Sequence, residues 1–207
     1  MGKPTGLAPE LLRALDQLKA VAGIEAWYLA GGNAVHWHLR HRQSIDLDLF
    51  SLGPDTSPGD LATRVPGARV LAMTDVMAHI TLDGVPVDIV RYPYPLLESP
   101  TAGPNDFPVA GLLDLATLKL AAVARRGIRR DFWDLHAIVG SGMSLQTAFD
   151  AYVRRFGAAG ADPYHVLRAL TYFEDADRDP LLPGGLSESR WQAIKDWFQT
   201  EVPRLLR

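Results

Sequence analysis

Five prolines, at positions 93, 95, 100, 104 and 108, divide this 207-residue chain into halves of different texture. Proline fixes φ and carries no N–H, so a stretch this dense in it supports neither a helix nor a central strand. Before it, glycines and prolines punctuate short apolar runs of both strand and helix period. After it, the apolar spacing is helical almost throughout. The pattern predicts an α+β chain: residues 1–108 as a small mixed β-sheet core with flanking helices, and residues 109–207 as a C-terminal helical bundle that closes over it.

Within the first half, Leu11, Leu12, Leu15 and Leu18 follow helical spacing, and "AWYLAGG" reads as a short buried strand stopping at Gly31-Gly32. "NAVHWHLRHR" then predicts a helix with Asn33 as its cap. "SIDLDLF" alternates, with Ile45, Leu47 and Leu49 on one side and Ser44, Asp46 and Asp48 on the other. "RVLAMTD" reads as a further strand. "HITLDGVPVDIVRY" reads as a hairpin turned at Asp83-Gly84, and Pro86 argues that its second strand lies at an edge or in an irregular ladder.

The second half carries clear helix signals. A helix through Lys119 ends at Gly127, and another follows over residues 129–140. Ser144 caps a third, Asp162 and Pro163 start a fourth running to about residue 176, and a fifth closes the sequence.

The two aspartates of "SIDLDLF" are the feature that needs a chemical explanation. Residues i and i+2 of a strand lie about 6.5–7 Å apart on one face, so Asp46 and Asp48 can share a divalent cation. Without one they repel and one pKa rises. Mg²⁺ favours such a site, with one or two carboxylates completed by substrate phosphates. Upstream, a Gly31-Gly32 turn opening a helix lets a phosphate approach backbone amides at the positive end of the helix dipole. Downstream, Asp88 on a neighbouring strand completes the group, either as third ligand or as the base that takes a proton from an attacking hydroxyl.

Gly-Gly, thirteen residues, Asp-x-Asp and a distant third Asp resemble the nucleotidyltransferase superfamily typified by DNA polymerase beta. Three blocks, "GGNAV…HRQSIDLDLF", "LATLKLAAVARRGIRRDFWDLHAI" and "LRALTYFEDADRDP", resemble the AbiEii/AbiGii toxin-type nucleotidyltransferases in particular. Asn33 stands where that family commonly has Thr, and Arg130 where it has Lys. The resemblance implies Asp46, Asp48 and Asp88 as ligands of Mg²⁺ (or Mn²⁺) and, with Lys119, as the catalytic set. It implies Gly31, Gly32, Asn33, Arg42, Ser44, Lys119, Arg126 and Asp131 as nucleotide-binding residues, with Lys119 near the triphosphate.

The implied activity is transfer of a nucleoside monophosphate from an NTP to an acceptor, releasing pyrophosphate. The acceptor implied is RNA or tRNA, and the protein a bacterial toxin neutralised by an antitoxin partner. The alternatives are transfer to a small molecule such as an antibiotic, or a nucleotide-binding module without turnover. Net charge is −3, so the chain as a whole has no nucleic-acid footprint; an arginine cluster at 125, 126, 129 and 130 supplies a local one. The absence of cysteine excludes disulfides and thiolate metal sites. No stretch approaches the roughly 18 apolar residues of a membrane span, and the N-terminal segment is too polar for a secretory signal. A cytoplasmic location is the resulting expectation.

Overall fold

The computed structural model describes residues 6–53, 55–179 and 183–206. Residues 1–5 of the N-terminal segment and Pro180, the last residue of the third block, lie outside the described residues. The chain forms two compact units, residues 1–111 and 112–207. The first extends three residues beyond the boundary read from the prolines, because Pro108–Val109 is itself a strand of the sheet.

The first unit is α+β, built on a mixed sheet in the order β3-β4-β5-β2-β1-β7-β6. Its strands are β1 (Trp27–Ala30), β2 (Leu47–Ser51), β3 (Arg69–Met73), β4 (Met77–Leu82), β5 (Val85–Val90), β6 (Thr101–Ala102) and β7 (Pro108–Val109). The β2·β5 and β1·β7 pairs are parallel and the others antiparallel. Helices α1 (Pro9–Lys19), α2 (Gly31–Leu39) and α3 (Pro58–Arg64) flank it. Leu11, Ala14, Leu15 and Leu18 make the buried stripe of α1, as their spacing predicts. The β4–β5 hairpin turns at Asp83 and Gly84, both with positive φ (50° and 83°), the geometry a two-residue primed turn demands.

Three local expectations are corrected. β5 is an interior strand despite Pro86, since the β2 ladder begins only at Leu47↔Val87 and residue 86 has no partner to bond on that side. α2 starts at Gly31, so Asn33 lies in its first turn rather than capping it. β2 starts at Leu47, leaving Ser44, Ile45 and Asp46 in the preceding loop, with Ile45 79% exposed. The physical reason is register: β1 ends at Ala30, opposite Asp48, so nothing on that side pairs with residue 46.

The second unit is helical: α4 (Leu112–Arg125), α5 (Arg129–Gly140), α6 (Leu145–Phe156), α7 (Pro163–Ala169), α8 (Glu174–Arg178) and α9 (Glu188–Glu201). Ser144 and Asp162 cap as predicted, accepting from the amides of Thr147 and Tyr164. The helix expected over 162–176 is two helices: the amides of Thr171 and Tyr172 bond back three residues, and the chain turns so that Phe173 and Ala176 bury. Phe132 sits against Phe173, Trp191 and Phe198 at ring separations of 5.2–5.7 Å, the aromatic centre of this core.

Candidate active site

Ladder register builds the site. In the parallel β2·β5 pair Asp48 stands directly beside Asp88, and in the antiparallel β4·β5 pair Asp88 stands beside His79. Neighbours across a ladder put their Cβ atoms about 4.5–5.5 Å apart on the same face. Alternation does the rest: Leu47, Leu49, Val87, Ile89, Ala78 and Ile80 are buried on one face, while Asp48, Asp88 and His79 are half-buried on the other. Three polar side chains from three strands thus form one row. Beyond Asp48 on its face, Phe50 stacks on Tyr92 at 4.7 Å and bounds the row with aromatic surface.

The glycine turn closes over the end of this row. A Cβ on Gly31, whose φ is +63°, would lie 1.7 Å from Asp48 Oδ2. On Gly32 it would lie 2.6 Å from Ser44 Oγ and 3.0 Å from Arg42 Nη2. The space a side chain would need is therefore filled by the acid, the hydroxyl and the guanidinium. These glycines bring the N-terminus of α2 down onto the acidic strand, where its dipole favours a carboxylate.

Asp46 is held next to this turn by other means. Asn33 Nδ2 donates to its carbonyl at 2.6 Å, and Ser44 Oγ donates to its Oδ1 at 2.7 Å. Arg42, 7% exposed, donates to the Gln43 carbonyl. Asn33 and Ser44 also line a cavity of about 360 Å³, together with Leu7, His36 and the Asp83–Pro86 turn. Gly31, Gly32, Asn33, Arg42, Ser44, Asp46 and Asp48 thus belong to the first unit and cluster where β1 meets α2, with Asp88 beside Asp48 on the next strand. His79 also belongs to this row, although nothing in the local sequence marks it; only the β4–β5 register does.

The donors fit Mg²⁺, which takes hard oxygen ligands. Among the described residues, no three His, Asp or Glu side chains form a ready-made metal cage. Asp46 precedes the strand and faces Ser44, while Asp88 Oδ1 bonds to His79 Nδ1. Mg²⁺ sites commonly use one or two carboxylates completed by substrate phosphates, and Asp46 and Asp48 are the carboxylates that could serve in such a site.

The remaining predicted residues form a second cluster, inside the helical unit. Asp131 and Asp134, fully buried on α5, face Lys119 and Arg126 of α4 and the turn after it. Lys119 Nζ lies 2.7 Å from Asp134 and 3.5 Å from Asp131. Arg126 grips Asp131 through two bonds, Nε at 2.7 Å and Nη2 at 2.9 Å. Burial pushes the Asp131 carboxyl up, but the Arg126 bond and the charges of Lys119 and Arg126 outweigh it and hold the group below its ordinary value. Sequence reasoning placed Lys119, Arg126 and Asp131 together and missed Asp134, whose i+3 position on the same helix face was available as a signal.

The resemblance read from the sequence is to the AbiEii-type nucleotidyltransferases, and the family comparison finds the same family. Residues 58–204, more than two thirds of the chain, match the model described as "Nucleotidyl transferase AbiEii toxin, Type IV TA system". This chain belongs to the AbiEii nucleotidyl transferase toxin family. The matched range contains Asp88, Lys119, Arg126, Asp131 and Asp134 and begins after the glycine turn and Asp48, whose assignment rests on the geometry above.

An uncharacterized protein of Aquifex aeolicus, aq_aa25, is 28% identical over 97% of this chain and 98% of its own. The nucleotidyltransferase toxin MenT4 of Mycobacterium tuberculosis shares the fold at a TM-score of 0.60, with 18% identity, covering 94% of this chain and 83% of its own. The antibiotic-resistance factor ANT(2'')-Ia superposes with a TM-score of 0.55 and 14% identity, over 72% of this chain and 92% of its own. Among the described residues, no helix is long and apolar enough to cross a membrane.

Proposed function

We propose that this protein transfers a nucleoside monophosphate from an NTP to the hydroxyl of an RNA acceptor, tRNA included, with release of pyrophosphate. It acts as the toxin of a bacterial, cytoplasmic toxin–antitoxin pair. One observation carries the reading: register sets Asp48 beside Asp88, and the Asp48 carboxylate fills the space under Gly31. Asp46 and Asp48 would hold Mg²⁺ (or Mn²⁺), which when bound supplies positive charge to the α-phosphate and to the departing oxygens.

The chain's own residues do the rest. Asp88 orients the acceptor hydroxyl and takes its proton as the oxygen attacks phosphorus. The first amides of α2, after Gly31 and Gly32, face the phosphates, and Ser44, Asn33 and Arg42 fix the loop that carries Asp46. For Arg126 the reading keeps the phosphate role implied by the resemblance, and what supports it is charge: its side chain is 39% exposed while still bound to Asp131. Asp131, itself facing Lys119, is the buried group that holds Arg126 in place.

The test is label transfer. Protein with Mg²⁺ and each α-labelled NTP is offered total RNA or an aminoglycoside. Label entering RNA supports the proposal. Label entering only the aminoglycoside replaces the acceptor, and nucleotide binding without pyrophosphate release replaces the enzyme by a binding module.

A further inference from the structure

We infer that His79 is a positioning residue for Asp88, holding the carboxylate that receives the acceptor's proton. The inference rests on the nucleotidyl-transfer reading and deepens it. His79 Nδ1 and Asp88 Oδ1 are directly bonded, from paired positions of β4 and β5. An ionised carboxylate can only accept hydrogen bonds, so the ring must donate, which fixes the neutral imidazole as its Nδ1–H tautomer. In that form Nε2 carries no proton, and Asp88 Oδ1 is committed to the ring. Oδ2 remains the oxygen for the acceptor hydroxyl.

The setting favours this role over incidental surface pairing. β4 alternates strictly, burying Ala78, Ile80 and Leu82 and leaving Met77, His79 and Thr81 on the face that carries the acids. The two side chains are 39% and 32% exposed, open enough to meet a substrate. An acid standing directly beside another acid needs an external donor to define its orientation, and among the groups described at Asp88 only His79 provides one. Partners of this kind, bonded to an acid at a metal-nucleotide site, typically matter by about 10–100-fold.

The experiment uses the full chain. Asparagine places its Nδ2 where the histidine Nδ1 lies, whereas glutamine places its amide where Nε2 lies. His79→Ala and His79→Gln should lower kcat by about 10–100-fold with KM for the NTP changed less than about twofold, and His79→Asn should recover to within about threefold of the unmodified protein. Nitrogen-15 NMR of the histidine ring should report the Nδ1–H tautomer, and Asp88→Asn should change that signal. Unchanged kcat in His79→Ala, equal losses in the Asn and Gln variants, or an Nε2–H tautomer would each overturn the assignment. Absence of transfer by the unmodified protein with every NTP would instead refute the activity, and the tautomer signal would still decide whether His79 holds Asp88.

Discussion

The two units handle acidic side chains in opposite ways. In the helical unit Asp131 and Asp134 are buried and meet a lysine and an arginine at ion-pair distance. In the sheet unit the described partners of Asp46 and Asp88 are a serine hydroxyl and a histidine ring, and Asp88 stands beside a further acid, Asp48. A buried carboxylate answered by cations has its charge settled by the fold. Asp46 and Asp88, half-buried and bonded to a hydroxyl and an imidazole, keep part of their surface open to a ligand. The contrast separates residues that hold the protein together from residues kept ready for chemistry.

The largest expected effect breaks the chemical side alone. Asp48→Asn should lower nucleotidyl transfer by about 10³-fold while leaving the urea unfolding midpoint in place, since asparagine keeps the shape under Gly31. A folded variant with normal turnover would remove Asp48 from the chemistry. The converse substitution, Lys119→Met, should remove the buried cation that faces Asp134 and Asp131 and destabilise the protein by about 3–5 kcal/mol in urea titrations. If it instead kept full stability and lost only activity, Lys119 would move to the chemical side of the comparison.

Gly31→Ala sits between these cases. A left-handed backbone costs a side-chain-bearing residue about 1–2 kcal/mol, and the new Cβ would displace the Asp48 carboxylate. Thermal melts should show the modest loss and turnover assays a larger one. Acid should touch the helical unit through Asp131. Because its folded pKa is depressed, its contribution is complete above the ordinary aspartate range near pH 4 and is lost as pH falls through the folded value. Unfolding midpoints from pH 6 to 3 should therefore decline at the acid end, and the decline should be smaller in Asp131→Asn.

Much of this was legible before any coordinates. Caps at Ser144 and Asp162, the Asp83-Gly84 turn and the stripe of α1 are local signals, settled by chemistry within four or five residues. That the Gly31-Gly32 turn faces Asp48 and Ser44 was legible as well, because a glycine pair and an acidic pair stand out in apolar surroundings. What escaped was non-local. The end of β1 opposite Asp48 decides that Asp46 leaves the strand and Ile45 turns outward. The late start of the β2 ladder decides that Pro86 sits in an interior strand. His79 gained its place from a register between strands, which alternation alone does not fix.

If the row under the glycine turn performs the transfer, pyrophosphate release with Mg²⁺, NTP and RNA must separate the unmodified protein from Asp48→Asn at matched folded fraction. Release by the unmodified protein and almost none by the variant is the expected result. Equal release from both would remove the acid row from the reaction.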